Sequence, residues 1–300
     1  MLEFREINID DRDWINKLLK KSDFMGCEYS FANNMAWRRM NDSTISRLND
    51  FYIVKSEDKN YVYFTFPAGN GDYQDLFDKL LKYSEYKNKK MVITGVTDYG
   101  LSIIKNIFNN QIIIKKFDSN SDYIYLAEDL IYLKGKKFHK KRNHLSKINN
   151  YNWEFHPMTK NDFDDCIAFS TVSYNNKNGY DDRSSVVEQF AIHTYFTYFD
   201  EMELSGGVIT IDGQVKAFTI GEQLNSNTLC VHIEKADPDI NGLYPAINNE
   251  FVKYAAKGLK YVNREEDLGI EGLRQAKRSY NPIFMIDKYN IFILNKKGKV

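Results

Sequence analysis

The segment Thr228–Lys235 reads TLCVHIEK. Its alternation puts Cys230, His232 and Glu234 on one face of a strand and Leu229, Val231 and Ile233 on the other. A carboxylate next to an imidazole suits proton transfer: Glu234 fits a general base acting on an amine or hydroxyl, with His232 beside it. The following strand, 260–266, runs into Arg264, Glu265, Glu266 and Asp267. In open α/β sheets ligands gather outside the carboxyl ends of strands. Glu266 and Asp267 are therefore expected to hold a cationic substrate group, with Arg264 beside them. The stretch EGLRQAKRSYNP then carries Arg274 and Arg278 at i, i+4, with Lys277 between them and Tyr280 just beyond. Arg274 and Lys277 are read as substrate or phosphate contacts, and Tyr280 as a proton donor or stacking ring. Cys230, alone on its strand, reads as core rather than as a nucleophile.

A second constellation is cationic. Leu133–Lys147, LKGKKFHKKRNHLSK, holds seven Lys/Arg, two His and no acid. As a helix over 134–148 it places Phe138, Leu145 and Ile148 on a narrow apolar stripe and Lys136, Lys140, Asn143 and Lys147 on the opposite face. Lys136, Lys137, Lys140, Lys141 and Arg142 form the expected polyanion-binding set, for tRNA or an acidic phospholipid surface. Arg142 falls on the apolar stripe. A guanidinium facing inward needs a carboxylate or a bound anion.

Other chemistries find no support. There is no GxGxxG, P-loop or HExxH, and no Cys/His group at metal-ligand spacing, so no metal is expected. Three scattered cysteines give no disulfide framework. The 41 Lys+Arg balance 41 Asp+Glu, so net charge selects no partner, and 43% hydrophobic with 27% charged residues is ordinary globular composition. The beginning MLEFREINIDDRDW has no signal-peptide pattern. Apolar runs such as Ile112–Ile114 and Ile291–Leu294 fall far short of the roughly 20 residues of a membrane span. A cytoplasmic protein without a transmembrane segment is the expectation.

The elements that must position these residues alternate. Helices are predicted over 10–21, 28–40, 72–87 and 100–108, and strands over 50–55, 60–66, 91–94, 111–117 and 122–127. The second half predicts helices over 161–173, 184–199, 243–258 and 270–279. Its strands are predicted over 207–211, 214–221, 228–235, 260–266, 283–287 and 290–295. Asp212-Gly213 is a two-residue hairpin signal. The two halves share one order, with DYQDLFDKLLKY…MVITG…LSIIKNIF…IIIKKF set against PAINNEFVKYAA…YVNRE…GLRQAKRSY…PIFMID. A duplicated mixed α/β module follows, with modules over 1–130 and 131–300, the second led by the basic helix. The chemistry is expected in the second, because the MVITG strand ends without a carboxylate and no counterpart of the HIEKAD strand precedes it.

The strings DYIYLAEDLIYLKGKKFHKKRNHLSK, HIEKADPDINGLYPAINNEF and YVNREEDLGIEGLRQAKRSYNP, within residues 122–282, resemble the bacterial DUF2156 family. That family is related to the C-terminal domain of phosphatidylglycerol lysyltransferase. The resemblance implies tandem GNAT-like (acyl-CoA N-acyltransferase-like) modules, as in Fem-type aminoacyltransferases. It implies an acyl- or aminoacyl-transferase with an aminoacyl-tRNA or acyl-CoA donor and a small-molecule amine or hydroxyl acceptor. In such a geometry strands 228–235 and 260–266 splay apart and leave room for the donor. GNAT proteins cradle pyrophosphate in a Q/R-x-x-G-x-G/A loop at a helix N-terminus. The corresponding ADPDINGLYPA has one glycine, Gly242, and two acids, Asp237 and Asp239, which counts against coenzyme A. The alternative is a non-catalytic module that binds a polyanion through 134–147.

Overall fold

The computed structural model describes residues 2–178 and 183–294. In chain order its elements are α1 (Arg12–Ser22), α2 (Phe31–Ala36), β1 (Thr44–Leu48), β2 (Phe51–Glu57), β3 (Tyr61–Thr65), β4 (Ala68–Gly69), α3 (Tyr73–Tyr86), β5 (Lys90–Val96), α4 (Asp98–Phe108) and β6 (Ile112–Lys116). There follow β7 (Asp122–Leu126), α5 (Ala127–Tyr132), α6 (His139–Leu145), β8 (Trp153–Pro157), α7 (Phe163–Asn178), α8 (Arg183–Thr197), β9 (Ser205–Ile211) and β10 (Gln214–Gln223). The last are β11 (Thr228–Ala236), α9 (Leu243–Ala255), β12 (Tyr261–Asn263), α10 (Glu271–Arg278), β13 (Phe284–Ile286) and β14 (Tyr289–Ile293). The final residue of the strand expected over 290–295 lies outside the described residues.

The chain forms two compact units, each a mixed α/β module around its own sheet. The division falls at Ser121/Asp122 and not at 130/131, and the segment from Ile286 joins the first unit rather than the second. The reason is an exchange of strands. β7, which follows the first module in sequence, pairs antiparallel with β12 of the second sheet. β14, the last strand, inserts between β5 and β6 of the first. All but one residue of β7 are buried, so it fits a central position, and its pattern alone does not say in which sheet.

The first sheet has the order β1-β2-β3-β5-β14-β6, with β4 paired to β2. Leu76, Phe77 and Leu80 of α3 and Ile104 of α4 are fully buried against Val62, Phe64 and Ile93. Asp72 caps α3 by accepting from the Asp75 amide, as an N-cap aspartate should. β3 runs parallel to β5, so the HIEKAD strand does have a counterpart here. That pair stays in register from Tyr61/Lys90 to Thr65/Thr94, and Phe66 N–H still donates to Thr94 O.

The second sheet has the order β13-β7-β12-β11-β10-β9-β8. Asp212 and Gly213 turn β9 into β10 with φ of 50° and 77°, the two left-handed residues of a type I′ turn. α7 and α8 cover one face, where Phe169 and Phe196 meet Phe218. α9 covers the other, where Leu243, Ala246 and Ile247 meet the neighbouring Ala217. β1 and β8 were not foreseen. Both are edge strands with mixed exposure, where the two-residue period is weak, and Pro157 is tolerated at an edge.

The basic segment is not one helix. It is a 3₁₀ turn at Lys136–Phe138, the seven-residue α6, and a second 3₁₀ turn at Ser146–Asn150. A run of cations without acids has no i, i+4 partners to extend a helix.

Two glycines of the second unit give opposite expectations. A Cβ on Gly221 would lie 2.3 Å from the backbone oxygen of Cys230, whereas Gly272 in α10 faces open space. Gly221→Ala should cost about 1–3 kcal/mol, and Gly272→Ala should gain about 0.5–1 kcal/mol. Urea unfolding midpoints check both signs.

Candidate functional site

β11 and β12 pair in parallel only through Thr228/Tyr261, Leu229/Val262 and Cys230/Asn263. Beyond that point β11 continues to Ala236 while the other chain turns into the loop Arg264–Ile270, so the sheet splits. The register of β11 on β10 also slips there: Ile220 faces Ile233 but Gly221 faces Val231, leaving His232 as an extra residue. Such a bulge reverses the alternation that follows it. His232 therefore stacks on Tyr195 of α8, ring centroids 5.5 Å apart, while Glu234 accepts from Asn248 of α9 at 2.9 Å. The expectation that the two share a face fails for this reason.

On the α9 face Glu234 has both oxygens engaged. Arg264 Nη2 donates to Oε1 at 2.8 Å and Asn248 Nδ2 to Oε2. The Arg264 guanidinium lies 4.8 Å from the Tyr280 ring centroid and 5.9 Å from that of Tyr125. Lys141 Nζ lies over Tyr280 at 3.8 Å. Burial works against the Arg264 charge, but Glu234 and the two tyrosines outweigh it and raise its pKa. Burial, helped by Arg264, brings the Lys141 ammonium down to about 8, with Glu234 opposing. Burial also holds the Tyr280 phenol well above its ordinary range. Two buried atoms here have no hydrogen-bond partner, Arg264 Nη1 and Asn248 Oδ1. Asn248 is only 1% exposed.

On the α8 face His232 lies between two carboxylates, with Nδ1 2.8 Å from Glu265 and Nε2 2.9 Å from Glu222. Burial disfavours the imidazolium, yet Tyr195, Cys230 and Glu222 together raise its pKa well above the ordinary value. Burial pushes the Cys230 thiol up to about 12. Neither ring nitrogen of His232 is left over as a proton acceptor.

The remaining expected site residues lie elsewhere. Asp267 is almost wholly buried and accepts from Tyr123 Oη at 2.7 Å, Arg274 Nε at 2.8 Å and the Gly269 amide at 2.8 Å. It holds the loop together, and Arg274 is spent on it. Lys277 donates to the backbone oxygen of Glu266, so Lys277 and Glu266 brace the same loop. Arg142 does not face inward. It is exposed and donates to the backbone oxygens of Leu133 and Gly135, closing the end of α5, so its partner is neither a carboxylate nor an anion. Its neighbour Lys141 is the residue that turns toward the site. Lys137 pairs with Asp129, and Lys136 and Lys140 are exposed. The sequence reading missed Asn248, Glu222 and the particular place of Lys141. Asn248 lies on a helix whose periodicity marks only its apolar face, Glu222 lies one residue past the predicted strand 214–221, which in fact runs to Gln223, and Lys141 is one lysine among seven cations.

The model of the phosphatidylglycerol lysyltransferase C-terminal family matches residues 19–292. A crystal structure of a conserved protein of unknown function from Bacteroides thetaiotaomicron is 34% identical, with a TM-score of 0.92, over 98% of this chain and 100% of that one. The C-terminal (DUF2156) domain of an Agrobacterium fabrum protein assigned as a lysylphosphatidylglycerol synthetase is 13% identical, with a TM-score of 0.67, over 96% and 93% of the two chains. FemX is 8% identical, with a TM-score of 0.67, over 98% of each. These last two likenesses establish the tandem GNAT-like, Fem-type fold. An uncharacterized protein of Mycoplasmoides gallisepticum is 22% identical over 203 residues, 67% of this chain and 65% of that relative, so just under two thirds of its length is covered. Among the described residues no helix is long and apolar enough to cross a membrane.

The loop held by Asp267 gives a pH prediction. Pairing with Arg274, against the opposing effect of burial, holds this carboxyl well below the usual range. A folded-state pKa below the unfolded value adds stability that is full above about pH 4 and lost as pH falls from there. Asp267→Asn should cost about 2–3 kcal/mol at neutral pH and should flatten the acid-side loss. Urea midpoints measured from neutral pH down to about pH 3 check both the cost and the slope.

Proposed function

This chain belongs to the phosphatidylglycerol lysyltransferase C-terminal family, and on that premise we propose that its second unit is an acyltransferase of the aminoacyl-transferring kind. It moves an aminoacyl group from an activated ester, such as charged tRNA, to the amine or hydroxyl of a small molecule or an acidic phospholipid headgroup. A cytoplasmic location, where charged tRNA is found, is part of this reading.

The observation that carries it is the pair of buried, unpartnered atoms on the α9 face, Arg264 Nη1 and Asn248 Oδ1. A buried donor without an acceptor costs about 1–3 kcal/mol, and an acyl carbonyl oxygen seated on Nη1 removes that cost. As the nucleophile adds to the carbonyl carbon this oxygen becomes an oxyanion, which a preplaced charged donor stabilises more than the ground state. Asn248 Oδ1 accepts from an N–H of an attacking amine and orients it, leaving another N–H for the base; a hydroxyl nucleophile gives its one proton to the base.

Glu234, with both oxygens engaged, fixes Arg264 rather than taking the proton. Lys141, at about 8, is suited to take it. The nucleophile–carbon bond forms as the proton passes to Lys141 Nζ. The ester carbon–oxygen bond then breaks and the leaving oxygen recovers that proton. Tyr280 is the platform that keeps Lys141 and Arg264 over the site.

Support for an ester donor over coenzyme A comes from α9. The Leu243 amide is spent on Ile240 O, and Pro245 in the first turn has no N–H. Gly242, at φ 89°, packs so closely that a Cβ would lie 2.7 Å from His144 O. Few amides are left there for a pyrophosphate. The exposed Lys136 and Lys140 suit the phosphates of tRNA.

Label transfer from aminoacyl-tRNA to phosphatidylglycerol vesicles or soluble amines, with acetyl-CoA in parallel, tests the reading. Turnover is expected from the tRNA ester alone. Arg264→Gln and Lys141→Met should each lower kcat/KM by about 100-fold or more, while Lys140→Met should weaken only donor binding. In the wild type kcat/KM should rise with pH and level off above about 8, and Lys141→Met should lose this rise. Full turnover in folded Arg264→Gln and Lys141→Met, or turnover with acetyl-CoA alone, would sink the mechanism. Salt-sensitive tRNA binding without turnover would favour the non-catalytic module instead.

A further inference from the structure

We propose that Cys230, His232 and Glu265 form a zinc site on the α8 face of the split sheet, independent of the transfer chemistry assigned to the α9 face. No linear motif announces it. Cys230 and His232 are two apart on β11, and Glu265 comes from the loop after β12.

The donor set is soft sulfur, imidazole nitrogen and carboxylate oxygen, a combination that suits Zn²⁺. Cys230 Sγ lies 3.7 Å from His232 Nδ1 and 3.7 Å from Glu265 Oε1, which are 2.8 Å from each other. The sulfur, the nitrogen and the oxygen thus close a triangle, the shape of a set of ligands around one ion. With Zn–S near 2.3 Å and Zn–N and Zn–O near 2.0–2.1 Å, tetrahedral edges come to about 3.3–3.6 Å. The two sulfur edges already fit to a few tenths of an ångström. Only the nitrogen–oxygen edge must open, by about half an ångström, when the proton it shares is replaced.

The surroundings are built to hold this triangle. Glu222 accepts from His232 Nε2 at 2.9 Å, the outer carboxylate that fixes a metal-bound imidazole with its other nitrogen toward the metal. Glu265 sits at φ 57°, a left-handed position unusual for glutamate. Asn263 Oδ1 accepts its amide at 2.6 Å, and Asn263 Nδ2 in turn donates to Asp122 at 2.9 Å. The Glu265 carbonyl accepts from the Tyr123 amide at 3.2 Å, so the outlier is braced on both sides and its side chain is pre-positioned. The His232 side chain is fully buried, and Glu265, 20% exposed, marks the side from which an ion enters.

The exchange balances. Zn²⁺ displaces the thiol proton of Cys230 and the Nδ1 proton of His232, so two protons leave as two charges arrive. The net charge of the buried cluster is unchanged, and no oxidation is involved.

Chelator-treated full-length protein titrated with Co²⁺ under reducing, anaerobic conditions tests the site. One cobalt per chain is expected, with a thiolate-to-cobalt band in the near ultraviolet that zinc abolishes. Cys230→Ser should remove the band, and Cys166→Ser, at another buried cysteine, should keep it. Glu222→Gln leaves all three ligands and should weaken zinc about 10–100-fold in competition with a chromophoric chelator. Circular dichroism confirms that each variant is folded. Absence of the band at stoichiometric cobalt, its survival in Cys230→Ser, or unchanged zinc affinity in folded Glu265→Gln would each overturn the proposal.

Discussion

The parting of β11 from β12 after three paired residues is the constraint on which the second unit depends. A parallel pair that stops early leaves backbone groups and side chains facing a gap, and something must hold its two walls. Here the span is made by charge. Arg264, first residue of the loop after β12, reaches across to Glu234 of β11 on one face, and Glu265 reaches back to His232 on the other. Consecutive residues of one loop thus clamp opposite faces of the opening. The extra residue at His232 makes this possible, because it turns His232 and Glu234 to different sides.

The first unit shows what happens without such a gap. Its parallel pair β3/β5 stays in register to Thr65 and Thr94. The space beyond is filled by aromatic rings, Phe66 against Tyr73 and Tyr99, and Phe24 against Tyr29. An aromatic plug gains burial, and the buried Lys288 nearby is paired with Glu28 at 2.8 Å. A split lined with paired charges must be fully satisfied, since each unpaired buried group is costly in a low dielectric. The two orphaned atoms beside Glu234 are the exception, and for that reason they carry functional meaning.

The balanced charge of the chain hides an uneven division of labour. Arg274, Lys277 and Arg142 look like ligand contacts by residue type, yet each is consumed locally, by a carboxylate, a loop carbonyl and a pair of helix-end carbonyls. Lys141, one of seven cations in its segment, is the one whose ammonium is drawn inward and lowered toward neutrality. Cations near a site act by geometry, not by number.

The sequence by itself determined the elements and their order. Helical spacing at Leu76 and Leu80, alternation along β11 as far as His232 and the Asp212-Gly213 turn are local properties, and local sterics and burial periodicity enforce them wherever the segment sits. The duplicated plan followed from that order, and with it the choice of strands 228–235 and 260–266 as the place to look for a site. Tertiary structure decided three further matters. It decided which sheet receives β7 and β14, because an apolar strand fits any central vacancy. It decided which way side chains point past His232, because a bulge arises from pairing with β10 and is invisible in β11 alone. And it decided whether a charged residue is spent or available, since that depends on partners distant in the chain, such as Asn248 for Glu234 and Tyr280 for Lys141.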